Sequence, residues 1–125
     1  RSFSEQALSH HESDKEEITM AQYMHLGVPV KTPQPDEVYS PEMKLFLTDP
    51  KDHPYQYECL RFEPDSQMPE DLKNNPHVAY KVDNLADELS RCEKIVMPET
   101  QVNPTTKIAF AWRDGVLFEL IECTD

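Results

Sequence analysis

The chain has no long uninterrupted run of apolar residues, which excludes a membrane-spanning helix and the core of a secretory signal. It has no CxxC or CxxxC pair. Its three cysteines, Cys59, Cys92 and Cys123, are an odd number at spacings that fit neither a disulfide framework nor a zinc knuckle. Free thiols of that kind suit a reducing compartment, so a cytoplasmic location is expected. Basic residues are also scarce. Twelve Lys and Arg stand against twenty-four Asp and Glu, for a net charge of −12. A surface this negative repels phosphate backbones and anionic lipid heads, which argues against nucleic-acid and membrane partners.

What remains is 125 residues, 38% of them hydrophobic, enough for one small folded domain or two small modules sharing a core. Residues 1–22 are poor in apolar side chains. Phe3, Ala7 and Leu8 make a thin stripe there, consistent with a tail or one short helix. The chain starts at Arg1 without Met, as a trimmed terminus would. His10-His11-Glu12 reads as a solvated tail, because adjacent residues do not share a helix face.

From Tyr23 the pattern sharpens. Leu26, Val28 and Val30 alternate with His25, Gly27 and Pro29, the period of a half-buried strand, and Pro29 places that strand at an edge or ends it. Residues 31–44 hold Pro33, Pro35 and Pro41 and form an extended connection. MKLFLT (43–48) and YQYECLRF (55–62) read as a hairpin turning through DPKDHP. Residues 64–76, broken by Pro64, Pro69 and Pro76, read as a linker. HVAYKV (77–82) is a further strand. A helix capped by Asp83 or Asn84 follows, in which Leu85, Leu89, Cys92 and Val96 form one apolar stripe ending at Pro98. KIAFAW (107–112) and VLFELI (116–121) flank an Asp-Gly turn and make a second hairpin. Two stretches of similar order, 23–63 and 77–125, predict an internal repeat. The predicted class is α+β: two βαβββ-type modules forming a curled mixed sheet around a cavity, with the first module's helix lost or replaced.

The informative residues are polar ones inside apolar strands. Glu119 faces away from Phe118 and Leu120, and Glu58 sits within YQYECLRF. His25 and His77 each open a strand, on the face opposite its apolar set. A carboxylate on an inner face is costly unless paired, protonated or bound to a cation. Two imidazoles and two carboxylates converging there suit a divalent transition metal. Glu122, three positions from Glu119, faces the other way and is expected in solvent. Cys59 is expected in the core, His53 at the surface, and Phe110 and Trp112 in sheet packing.

The segment HVAYKVDNLADEL (77–89) resembles the second-module opening of the vicinal oxygen chelate superfamily, which includes glyoxalase I. RDGVLFELIE (113–122) resembles that superfamily's closing strand, where an Asp-Gly turn leads into a metal-binding glutamate. The likeness spans about residues 23–122 and is strongest in the second half. It implies one divalent metal ion (Ni, Zn, Co, Fe or Mn) on His25, Glu58, His77 and Glu119. It also implies a small-molecule substrate with vicinal oxygens and a lyase or isomerase reaction through an enediolate, with Glu119 as general base and Glu58 as the alternative. A homodimer is the expected assembly. The other readings are an iron-dependent extradiol-type dioxygenase using His25, His77 and Glu119, and a non-catalytic binding protein of the bleomycin-resistance type. No Arg or Lys cluster is assignable to glutathione carboxylates.

Overall fold

Eight strands lie side by side in one curled mixed sheet, a half-barrel, in a computed structural model that describes residues 20–124. In chain order they are β1 (Gln22–Pro29), β2 (Val38–Ser40), β3 (Leu45–Leu47), β4 (Tyr57–Phe62), β5 (His77–Lys81), β6 (Lys94–Asn103), β7 (Thr106–Arg113) and β8 (Val116–Cys123). Among the described residues, two short α-helices, α1 (Glu70–Asn74) and α2 (Leu85–Leu89), and one 3-10 turn at Pro50–Asp52 accompany the sheet in an α+β architecture. No helix among the described residues is long and apolar enough to cross a membrane.

The strand order, β2-β3-β4-β1-β5-β8-β7-β6, is the same walk taken twice from the centre outward. β1 pairs parallel with β4, as β5 does with β8, and each parallel pair continues into an antiparallel meander. The two copies meet where β1 and β5 run antiparallel. Each half holds four strands, one more than the sequence patterning resolves: β2 lies inside the Pro-rich connection, and β6 begins inside the segment expected to be helical and runs on past Pro98 to Asn103. Pro29 does end its strand, but β1 is central, not an edge.

The expected helix from Asn84 toward Pro98 is corrected by the structure. Asn84 caps it as predicted, its Oδ1 accepting from the Asp87 N–H at 3.0 Å, but the helix stops after Leu89. Leu85, Leu89 and Cys92 pack with Val82, Ala109 and Leu120, whereas Val96 belongs to the opposite layer with Phe110 and Leu117. The 4-3-4 spacing therefore joined residues of two layers. Ile95-Val96 is β-branched, and Pro98 is tolerated because β6 is an edge strand.

The stretch 64–76 is more than a linker. It carries α1, whose Leu72 is 2% exposed and wedges against Phe110 and Leu117 on the concave face. Burying one such leucine contributes about 1.5–3 kcal/mol. Trp112 Nε1 donates to Asp71 Oδ2 at 2.8 Å and ties the helix to β7. Asp114 and Gly115 both have positive φ, +55° and +77°, as a two-residue turn between twisted strands requires. The features expected within residues 1–19, the Phe3 stripe and His10-His11-Glu12 among them, lie outside the described residues.

Candidate metal centre

Strand register brings the four polar residues together on the concave face. Glu58, Gly27 and His77 line up across β4, β1 and β5, since Gly27 is opposite both Glu58 and His77. One step along, His25, Ala79 and Glu119 line up across β1, β5 and β8. Each row is an imidazole and a carboxylate separated by a small residue. Paired residues share a face, so the missing bulk at Gly27 and Ala79 leaves room between the polar groups.

The side chains fill that room from both rows. His25 Nε2 lies 3.4 Å from Glu58 Oε1 and 3.8 Å from Glu119 Oε1, and His77 Nε2 lies 3.4 Å from Glu119 Oε1. The imidazole centroids are 6.1 Å apart. His25, Glu58 and His77 each offer one ligand atom within 4.8 Å of the others. Glu119 is outside that trio but reaches both imidazoles.

These contacts are not hydrogen bonds. His25 Nε2, His77 Nδ1 and His77 Nε2 are buried and have no partner in hydrogen-bonding geometry. Buried polar nitrogens left unsatisfied cost about 1–3 kcal/mol each, and native structures rarely keep them without a reason. His77 is 1% exposed. No acceptor fixes its tautomer; packing fixes its ring instead. Phe110 meets it edge-on at 5.3 Å, and the Gly27 backbone lies close against it. Neighbouring charges act on His25. The Glu58 carboxylate raises its pKa above the ordinary 6.5, burial pulls the other way, and the Glu58 and Glu119 charges add to the rise.

The other residues singled out by the sequence pattern fall as follows. Cys59 is buried on the convex face and the three cysteines are unpaired. Phe110 is packing, as expected, and it also supports His77. Glu122 departs from expectation: it is not in solvent, because its Oε1 accepts from the Leu85 N–H at 2.8 Å and closes the start of α2, with Lys107 at 3.6 Å. Strand parity places it correctly; what patterning misses is that α2 begins directly above Glu122. Gly27 is also missed as a site residue. It is one of two glycines in the chain and sits inside a strand, a pattern that marks close approach by another group. A groove of about 730 Å³ runs beside α1 at the ends of β1 and β4, and none of the four polar residues lines it.

No family model matches the chain, and no curated protein matches it either. Among solved structures it is similar to hypothetical protein BH1468 from Bacillus halodurans C-125. That match has a TM-score of 0.51 and 13% identity over 86% of this chain and 97% of the other. At that identity the likeness is one of fold.

Proposed function

We propose that this chain is a metalloprotein of the vicinal oxygen chelate type, holding one divalent cation on His25, Glu58, His77 and Glu119 and acting as a glyoxalase-like lyase or isomerase. The observation that carries the reading is the set of buried imidazole nitrogens with no hydrogen-bond partner, facing two carboxylates at 3.4–3.8 Å. Nitrogen and oxygen donors in this ratio fit a borderline divalent ion, and the two carboxylates match its charge. The repeated strand order and the family-like segments 77–89 and 113–122 support the same reading.

The chain's own groups have separate tasks. His77, enclosed by Gly27 and Phe110, is the fixed donor. His25 and Glu58 complete a trio on the more open side, where their side chains are 20% and 17% exposed. Glu119 is near both imidazoles yet outside the trio, which suits a carboxylate that takes a proton from a carbon beside a carbonyl and returns it to a neighbouring carbon. A bound cation would supply Lewis-acid stabilisation of negative charge on two adjacent substrate oxygens. All four residues come from one chain, so the site does not need a second copy.

The test is to strip the protein with chelator, reload it with Ni, Co or Zn, and assay the methylglyoxal–glutathione adduct. One equivalent of metal with turnover supports the whole proposal. Metal without turnover removes the reaction and keeps the site, and no metal removes both.

A further inference from the structure

Among the described residues the concave face is closed at one end and less deeply covered at the other. Toward α1, Leu72, Leu117 and His77 are 2%, 1% and 1% exposed, so nothing enters there. Beyond Glu119 the face continues through Lys81, Ile121 and Ile108, all only half-buried. Lys81 is opposite Ile121 on β8 and Gln22 on β1, two residues along β5 from Ala79 and therefore on the same face as the polar rows. That is about 7 Å along the strand. Val82, the next residue, is buried under α2, which fixes Lys81 to the concave side.

Lys81 forms no ion pair among the described residues, although the protein carries twice as many acidic as basic groups. Glu119 lies diagonally across from it and turns to the imidazoles instead. A half-buried lysine with no carboxylate partner among the described residues has an ammonium available to an anion. The point matters in a chain of net charge −12, where the general field repels anions and two carboxylates already balance a divalent cation.

We propose that Lys81 is the substrate anchor of this site and selects a compact molecule that carries a carboxylate two or three carbons from its pair of neighbouring oxygens. The inference rests on the metal-site reading above and adds to it the charge and size of the substrate. Entry is from the Lys81–Ile121 end, with the chelating oxygens leading and the carboxylate left at the mouth.

Two probes with the same chelating head test this: acetohydroxamate, and succinic monohydroxamate, which adds a carboxylate arm. Their affinities for zinc-loaded protein are measured by calorimetry. The wild type is expected to bind the carboxylate-bearing probe about tenfold more tightly. Lys81→Met should abolish that preference while leaving zinc and acetohydroxamate affinity unchanged, and Lys81→Arg should keep most of it. Equal binding of the two probes by the wild type, or a preference that survives Lys81→Met, overturns the assignment of Lys81. Failure of the wild type to bind zinc overturns the metal reading and this inference with it, whereas zinc-loaded protein that binds neither probe overturns the assignment of Lys81 alone.

Discussion

Replacing Gly27 by alanine adds one methyl group at the most confined point of the concave face. A Cβ there would sit 2.3 Å from His77 Cε1 and 2.4 Å from Nε2, over 1 Å inside ordinary contact. The imidazole is the far end of a side chain, but it has nowhere to go: it is 1% exposed, with Phe110 edge-on at 5.3 Å. Two effects of opposite sign compete. Gly27 is not at positive φ, so alanine should favour the strand backbone by about 0.5–1 kcal/mol. Overpacking a closed site costs about 1–3 kcal/mol. The clash wins, and Gly27→Ala should lower urea stability by about 0.5–2 kcal/mol and weaken metal affinity at least tenfold as the ring is displaced. Ala79→Gly, on the row where the more open His25 lies, serves as the control. It should cost the ordinary strand-glycine penalty and change metal affinity little. A Gly27→Ala protein as stable as the wild type with unchanged metal affinity would refute the packing argument.

Further outcomes follow from other contacts. Protonated His25 stabilises the metal-free fold because Glu58 holds its pKa above the unfolded value near 6.5. That contribution is complete below pH 6.5 and disappears as pH rises through the folded-state value, so the stability difference between wild type and His25→Gln should shrink across that range in pH-dependent urea melts with chelator present. Metal affinity should rise over the same interval as the competing proton leaves. Glu122→Ala removes the acceptor for the Leu85 N–H and should cost about 1 kcal/mol in urea melts, with metal affinity unchanged. Leu72→Ala should cost about 2–5 kcal/mol by emptying the wedge under α1, and should raise hydrogen exchange of the β7 amides beside Phe110.

The fold is legible wherever local chemistry and long-range pairing agree. The Asp114-Gly115 turn specifies its hairpin by backbone conformation alone, and alternation in HVAYKV and VLFELI places the faces of β5 and β8 correctly. The second helix is overextended in the sequence pattern because Val96 falls on a helical spacing by coincidence, while its burial partners are Phe110 and Leu117 on the other side of the sheet. β2 is invisible there, being three residues among prolines whose pairing with β3 is decided by the sheet edge. Within the candidate centre, the polar residues stand out as interruptions of apolar strands. Their small counterparts, Gly27 and Ala79, do not, because a residue that matters for the space it leaves has no signature until the strand opposite is known. The same holds for Glu122, whose partner is a backbone N–H 37 positions away in sequence.

Anomalous diffraction at the zinc edge, from crystals of the chain grown with one equivalent of zinc, shows whether His25, Glu58, His77 and Glu119 share one cation. A single peak is expected on the concave face about 2.0–2.2 Å from a nitrogen of both His25 and His77 and from at least one oxygen of Glu58 or Glu119. A peak elsewhere on the molecule, or none with the two imidazoles still side by side, would contradict a shared site.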